Sequence, residues 1–370
     1  MSNPIKKSHF VAGPAVYSTP AEAEPFVPGK LNAFPKYADA IGAGSEVWIF
    51  DAVSEKDHSA IVVSMSRGMR PAGQDDFRVQ VLGLWPDQST WHQDFFFPES
   101  IVTETEGEDV TGVWQDEPRG TSISWTITEA GKKVKLVLNM PGMATGTLEF
   151  TAPPGDSGLD IDPWMGPQYM NTRPLPRGSA ECEVDMGGRR LAFGPDGPHK
   201  AHGAIDHGWC KLPWPRAMSY SLYIHAQAGP YAFQICHIRS PTDDGKVPYL
   251  AATLFHDGRL VCSPKRVAGT REEAEKAGAG DALVLGMTLE GDGLTGAYSD
   301  KNAGYRLEWY RDGQRWVFDT RHAALFWNIP TSPPGPNQQG NTCFVDTLVG
   351  GAEGEGFQGA CLSAQCDWNN

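Results

Sequence analysis

The stretch AHGAIDHGW, residues 201–209, holds the densest group of side chains that could do chemistry. His202, Asp206 and His207 carry the donor atoms of a metal site or of an acid–base pair, because histidine titrates near neutral pH and a carboxylate can orient it. The spacing does not match a helical metal site, and in a strand His207 would face away from the other two. We therefore expect no metal, and an acid–base role and a structural role stay open.

The elements that must position these groups are short alternating runs, which predict strands. The runs are SEVWIFD (45–51), SAIVVSM (59–65), FRVQVLGLW (77–85), TSISWTIT (121–128), KVKLVLNM (133–140) and TGTLEFTA (145–152). Hairpin turns are predicted at Ala228-Gly229-Pro230, Asp257-Gly258 and Asp312-Gly313. The segment TREEAEKA (270–277) alone indicates a helix. The chain is therefore predicted to be all-β.

The length of 370 residues exceeds what one core usually organises, so two domains are expected. The segment KLPWPR (211–216) marks the predicted boundary, because its two prolines cannot donate to a sheet. The predicted domains are residues 1–210 and 211–370. The Pro/Gly-rich segment 153–177 is the alternative boundary, or a long loop within the first domain.

The net charge of −14 argues against binding to nucleic acid and to anionic membrane surfaces. The start of the chain, MSNPIKK, lacks the apolar run of a secretory signal, and no stretch is apolar enough for a membrane span. We expect a cytoplasmic protein whose seven cysteines are reduced and buried. A pairing of Cys361 with Cys366 is the alternative.

Signature motifs of several enzyme classes are missing from the sequence: GxSxG, GxGxxG after a strand, and GxxxxGK[ST]. The 12 tryptophans are more informative. Four of them lie in polar or Pro/Gly-rich surroundings, which favours aromatic walls around a large apolar ligand: Trp48, Trp209, Trp214 and Trp327. The alternative is that these tryptophans fill two domain cores.

A set of motifs in order carries a family resemblance. They are LNAFPKY, VWIFD, LGLWPDQSTW, GWCKLPWPRAMSYSLYIHAQAGPYAF and WNIPTSPPGPNQQGNTCFVDTLVGGAEGEGFQG. Together, from about residue 30 to about residue 365, they resemble the fungal lipocalin-like Diels-Alderases of polyketide–amino-acid hybrid pathways. The element DHGW is also similar to the DHNW element of the wider carotenoid-hydratase-like superfamily.

The resemblance implies an N-terminal β-sandwich packed on a C-terminal lipocalin-like β-barrel, with a substrate pocket at their interface. It implies a cofactor-independent intramolecular [4+2] cycloaddition of a linear polyene that carries a tetramic acid or pyrrolinone. The product would be a decalin or a related fused ring of secondary metabolism. A polyketide–peptide synthetase and its trans-acting reductase are the implied pathway partners.

The candidate site combines residues that match the family pattern with polar residues chosen as hydrogen-bond donors. Gln80, His207 and Asn341 are predicted to hold the polar head group as the catalytic set. The predicted substrate-contacting residues are Trp48, Asp51, Ser66, Leu82, Tyr169, Asn171, Asp206, Trp209 and Trp327. Asp51 and Asp206 are expected to orient neighbours rather than to touch substrate.

Several positions depart from the pattern of related decalin-forming members. Ile49 stands where several members have a carboxylate, and Leu82 stands where some have an amide. Gln80 replaces an acid, Ser66 replaces an aromatic hydroxyl, and Asn341 stands where some have a lysine. The head group and the ring outcome are therefore open.

Two other functions remain as alternatives. A lipocalin-type binding protein would use the same pocket without accelerating a reaction. A hydratase or isomerase of the carotenoid-hydratase-like kind would need a true acid–base pair, so that His207→Ala would abolish its activity.

Overall fold

The computed structural model describes residues 4–68, 76–106, 109–153, 161–194, 200–243, 247–276, 280–289, 294–298 and 301–368. Strands dominate these ranges, which confirms the all-β prediction. The described α-helices are short: α1 (Pro14–Ser18), α2 (Trp214–Ala217) and α3 (Arg271–Lys276). Single 3₁₀ turns occur at Glu117–Arg119, Glu129–Gly131 and Pro241–Asp243.

The chain divides into two compact units. The first comprises Met1–Trp85, Ser89–Pro163 and Gln168–Trp214. The second comprises Pro86–Gln88, Trp164–Pro167 and Pro215–Asn370. Each unit contains one large sheet and its own apolar core, and the described pairing is antiparallel except between β18 (Val267–Ala268) and β19 (Ala282–Thr288) of the second unit.

The described strands of the first unit form a 13-stranded sheet with the order β1-β6-β7-β8-β9-β10-β11-β13-β2-β3-β4-β5, and β12 pairs with β11. The strands are β1 (Pro4–Val11), β2 (Ser45–Ser54), β3 (Ala60–Arg67), β4 (Phe77–Leu84), β5 (Thr90–Phe97), β6 (Glu99–Thr105), β7 (Val110–Asp116), β8 (Thr121–Thr128), β9 (Lys133–Met140), β10 (Ala144–Thr151), β11 (Tyr169–Met186), β12 (Arg189–Phe193) and β13 (Ala201–Cys210).

The core of the first unit lies where this sheet folds onto itself. Trp48 of β2 packs edge-on against Trp114 of β7, with ring centroids 5.5 Å apart, and lies 6.0 Å from Trp125 of β8. All three rings are buried. Large aromatic rings pack well at such distances and remove much apolar surface from water, which explains the abundance of tryptophan here.

The described strands of the second unit form a ten-stranded sheet with the order β17-β16-β15-β14-β23-β22-β21-β20-β19-β18. The strands are β14 (Tyr220–Ala228), β15 (Tyr231–Arg239), β16 (Pro248–His256), β17 (Arg259–Cys262), β18 (Val267–Ala268), β19 (Ala282–Thr288), β20 (Gly304–Arg311), β21 (Gln314–Pro330), β22 (Gly340–Ala352) and β23 (Phe357–Asp367).

Tight turns connect several of these strands, as the sequence predicts. Asp257 (φ 48°) and Gly258 (φ 79°) form the turn between β16 and β17. Asp312 (φ 49°) and Gly313 (φ 78°) do the same between β20 and β21. Positive φ at both central residues gives the backbone twist that a two-residue hairpin requires, and Asp-Gly tolerates it at low cost.

The second sheet curls, so that distant strands meet inside it. Phe233 of β15 contacts Trp309 of β20 and Phe318 of β21, with ring centroids 5.7 and 4.8 Å apart. The side chains of Leu254, Leu307 and other apolar residues complete this core.

All seven cysteines lie in the described part of the chain, where they are buried and form no disulfide, as predicted. Burial raises the pKa of the Cys210 thiol to about 11 and that of Cys366 to about 12. Among the described helices, none has the length and apolar character needed to cross a membrane.

Candidate active site

Strand β2 separates the first unit's core from its opposite face. Trp48 and Phe50 point into the core, and Ile49 and Asp51 point to the other side. The alternation of SEVWIFD predicts this division, because successive side chains of a strand point to opposite faces.

The sheet register aligns polar side chains on the face away from the core. Asp206 of β13 pairs with Ile49 of β2, and Ile49 pairs with Ser64 of β3. Ser64 pairs with Gln80 of β4, and Gln80 pairs with Asp94 of β5. One row of side chains therefore crosses five adjacent strands.

Three further rows extend this row on the same side of the sheet. We define the polar face as the side chains of Ile49, Asp51, Ser64, Ser66, Arg78, Gln80, Leu82, His92, Asp94, Tyr169, Asn171 and Asp206. It contains seven of the twelve residues predicted for the site, namely Asp51, Ser66, Gln80, Leu82, Tyr169, Asn171 and Asp206.

The polar face is partly open to solvent. Ile49, Ser64 and Gln80 are half-buried. Asp51 and Asp206 are buried, with 1% and 2% of their surfaces exposed. A face with polar groups, apolar neighbours and an accessible centre has the composition of a small-molecule site.

A hydrogen-bonded cluster on β4 and β5 orients the amide of Gln80. Arg78 donates from Nη2 to Gln80 Oε1 at 2.6 Å. Because a guanidinium can only donate, this contact identifies Oε1 and leaves the amide NH₂ on the other side. Gln80 Nε2 lies 3.4 Å from His92 Nε2, which in turn lies 3.2 Å from Asp94 Oδ1. The amide NH₂ of Gln80 also hydrogen-bonds the Asp94 carboxyl, so at most one of its hydrogens is left for a ligand.

The carboxylate of Asp94 stays ionised within this cluster. Burial alone would raise the pKa of Asp94, but hydrogen bonding from His92 and the charge of Arg78 outweigh it and lower that pKa. Burial also lowers the pKa of Arg78, against the charge of Asp94.

Tyr169 and Asn171 lie on β11 at the edge of the polar face. The Tyr169 ring packs against Trp214, with centroids 4.9 Å apart. Asn171 is 4% exposed, and its Oδ1 accepts no hydrogen bond from the described residues. Ser66 is already engaged, since its hydroxyl donates to the Arg78 carbonyl at 2.9 Å.

His207 lies on the core face, not on the polar face. Its Nδ1 is 2.7 Å from the carbonyl oxygen of Asn32, and its Nε2 is 2.8 Å from Glu46 Oε1. Both ring nitrogens are therefore engaged, and His207 and Glu46 form one buried hydrogen-bonded pair. The side chains of His207 and Glu46 are fully enclosed.

The tryptophans near His207 belong to the same enclosed network. The imidazole of His207 stacks on Trp48 at 4.6 Å with an interplanar angle of 9°. The Trp48 indole donates to the Ala33 carbonyl at 2.9 Å. Lys36 places its ammonium 5.4 Å from the Trp209 ring, which is 4% exposed. We therefore do not carry Trp48, His207 or Trp209 into the proposed site as groups that touch substrate.

Arg67 is a second buried charge behind Trp48. Its guanidinium donates from Nε to Ser100 Oγ at 2.8 Å and from Nη1 to Ser8 Oγ at 2.9 Å. Burial lowers the pKa of Arg67 to about 10, and the charge of Glu46 opposes this shift. The core of the first unit thus contains a hydrogen-bonded charge network rather than an acid–base site open to a ligand.

Trp327 and Asn341 are neighbours in the second unit, on β21 and β22. The Trp327 indole donates to Asn341 Oδ1 at 2.9 Å, and both side chains are half-buried. The amide therefore fixes the ring orientation. Their predicted roles as an aromatic wall and a head-group donor stay predictions.

The second unit also contains a buried pair that the sequence analysis did not identify. His322 Nδ1 lies 2.7 Å from Asp346 Oδ1, and the imidazole stacks on Phe344 at 3.8 Å. Ser363 donates to the other carboxylate oxygen of Asp346 at 2.8 Å. Both members of the pair have fully buried side chains, so the pair is structural.

Three further residues of the polar face were not predicted from the sequence: Arg78, His92 and Asp94. Alternation in FRVQVLGLW places Arg78 on the side of Gln80 and is the signal that could have identified it. Across the described residues, no group of three or more His, Cys, Asp or Glu side chains is arranged to hold a metal ion.

Comparison with known proteins identifies the family. A model of the Diels-Alderase-like family matches residues 8–368. The chain belongs to the Diels-Alderase-like family. This membership confirms the resemblance and places the chain among enzymes of the pericyclase class.

Two relatives and one solved structure match this chain over nearly their whole length. A Diels-Alderase of Gibberella fujikuroi is 38% identical over 372 residues, covering 97% of this chain and 98% of the relative. The Diels-Alderase fsa2 of Fusarium heterosporum is 37% identical over 383 residues, covering 99% and 100%. The crystal structure of CghA with Sch210972 has a TM-score of 0.89 at 30% identity, covering 98% of this chain and 99% of that one.

Proposed function

We propose that this chain catalyses the stereoselective intramolecular [4+2] cycloaddition of a linear polyene polyketide–amino-acid hybrid without a cofactor. The substrate head group is of the tetramic acid or pyrrolinone type, and the product is a decalin or a related fused ring. The supporting observation is the polar face, where an oriented amide donor at Gln80 lies in one row with Ile49 and next to Leu82 on β4.

The reaction needs orientation more than reactive groups. The diene and the dienophile are in one molecule, so the remaining task is to freeze rotors, each costing roughly 0.5–1.5 kcal/mol. Fixing four to six rotors supplies a few kcal/mol, or on the order of a thousandfold in rate. The apolar side chains of Ile49 and Leu82 provide a surface against which a polyene can fold.

A hydrogen bond supplies the second contribution. A donor to the carbonyl conjugated with the dienophile lowers the energy of its acceptor orbital, which accelerates the cycloaddition. Gln80 is suited to this role because Arg78 holds its oxygen and directs the amide NH₂ away. A donor that is already oriented needs no reorganisation during the reaction.

Gln80→Leu tests this proposal, with Gln115→Leu as the matched control. Gln115 is a half-buried amide of the same unit that donates to Glu99 at 3.0 Å, outside the polar face. We expect Gln80→Leu to lower kcat about 10- to 100-fold. This loss is smaller than the roughly 10²–10³-fold loss in kcat on removing an enclosed donor, because the site is half-exposed. Gln115→Leu should leave the rate unchanged.

The assay follows a linear polyene acyl tetramic acid and its cyclised isomers by chromatography, with and without protein. Equal rates and isomer ratios across a panel of such polyenes would contradict the proposal. Tight binding without turnover would instead indicate the lipocalin-type binding protein.

In its pathway, we propose that the enzyme receives its polyene from a polyketide–peptide synthetase with a trans-acting reductase.

A further inference from the structure

Arg78 has hydrogen-bond donors that its neighbours do not use. Its Nη2 donates to Gln80, but its Nη1 lies 3.8 Å from Asp94 Oδ2, beyond hydrogen-bond distance. Its Nε is buried and donates to none of the described acceptors. The side chain as a whole is 21% exposed, so a ligand can reach it.

The ion pair with Asp94 does not satisfy this guanidinium. His92 Nε2 lies 3.2 Å from Asp94 Oδ1, whereas Arg78 Nη1 comes no closer than 3.8 Å to Asp94 Oδ2. Nη1, rather than the buried Nε, is the donor that an incoming acceptor can reach, and this contact would offset part of the desolvation cost of the guanidinium. The planar guanidinium is suited to a planar, delocalised oxyanion, which it can bind with two parallel hydrogen bonds.

We propose that Arg78 binds a delocalised oxyanion at the head of the substrate. On the proposed function, on which this inference rests, that oxyanion is the ionised enol of a tetramic-acid-type ring. A carboxylate has the same chemistry. The position suits this role, because Ser64 and Ile49 continue the row from Gln80 and offer a hydroxyl and then an apolar surface.

The experiment compares three ligands that carry the same polyene: the tetramic acid, its neutral O-methyl enol ether and the matching polyenoic acid. The variants are Arg78→Gln and Arg78→Lys, with Arg119→Gln as the control. Arg119 is 77% exposed and pairs with Asp116 away from the polar face. The readouts are KM and kcat, and the dissociation constant from tryptophan fluorescence. Circular dichroism verifies folding.

We expect Arg78→Gln to raise KM and the dissociation constant for the tetramic acid about 10- to 100-fold, as for loss of a charge-assisted hydrogen bond. The neutral ether should change at least tenfold less, which separates charge recognition from any disturbance of Gln80. Arg78→Lys should recover part of the affinity for the ionised ligand. Arg119→Gln should behave as wild type.

The result that overturns the inference is an equal effect of Arg78→Gln on the ionised and the neutral ligands, or no effect on either. An Arg78-dependent affinity for the polyenoic acid alone would support oxyanion binding and identify the carboxylate as its source. Binding that depends on Arg78 without cyclisation would support the inference and contradict the proposed function. Cyclisation with no dependence on Arg78 would contradict the inference and support the proposed function.

Discussion

Replacing His207 by alanine should destabilise the first unit without removing catalysis. The change leaves the Glu46 carboxylate enclosed without its partner, and breaking a buried ion pair costs about 3–5 kcal/mol. In a unit of this size, each kcal/mol lowers the midpoint of thermal unfolding by about 2–4 °C, so we expect a drop of about 6–20 °C.

Calorimetry measures this shift, and turnover is measured well below the lower midpoint. There we expect His207→Ala to retain activity within about tenfold of wild type, since the imidazole is fully enclosed. The double variant Glu46→Leu/His207→Phe removes both polar groups and keeps the stack on Trp48. It should recover most of the lost stability, because two apolar groups of similar volume replace a buried pair at little cost.

Two outcomes would refute this reasoning. An unchanged midpoint together with abolished turnover would mean that His207 acts on the substrate, as a hydratase or isomerase requires. A double variant no more stable than His207→Ala would mean that the unpaired carboxylate of Glu46 is not the cause of the loss.

Two further predictions concern stability alone. His237→Leu should flatten the pH dependence of the unfolding free energy between about pH 4 and 6.5, because burial lowers the pKa of His237 to about 4. The unfolded chain then binds a proton that the folded chain excludes, so the unfolding free energy of the wild type falls as pH falls through this window. If urea titrations of the variant at several pH values gave the same dependence of unfolding free energy on pH as the wild type, this prediction would be wrong. Gly203→Ala should cost about 1–3 kcal/mol by overpacking, because its Cβ would lie 2.3 Å from the Asp51 carbonyl oxygen and the Phe150 ring. Gly194→Ala, with its nearest neighbour at 3.8 Å, should cost little, and equal losses in urea unfolding of the two variants would count against the steric explanation.

Much of the fold follows from local patterns in the sequence. Alternation locates the strands, and Asp-Gly and Gly-Pro pairs locate the turns, because both signals act over a few residues. The same alternation already divides β2 into a side with Trp48 and a side with Asp51. Placing Trp48 in a ligand pocket relied on its polar surroundings in sequence, which do not determine the face that a side chain occupies.

The contacts that local patterns could not reveal join distant parts of the chain. Glu46 and His207 are 161 positions apart, and neither residue type signals that the other will satisfy it. The row from Asp206 to Asp94 depends on the register of five strands, and a shift of one residue would move each side chain to the opposite face. Only the folded sheet shows that Gln80 and Arg78 form one cluster.

The position of β13 also has a consequence for how the protein is made. The strands β2–β5 and β6–β11 pair with sequence neighbours, so their hairpins can form while the chain is being synthesised. Strand β13 pairs with β11 on one side and with β2 on the other, joining these two groups. Such long-range pairing is slow, because a large loop must close first. Until residues 201–210 leave the ribosome, β2 and the Tyr169–Ser179 part of β11 remain open edges, and the row that begins at Asp206 does not exist.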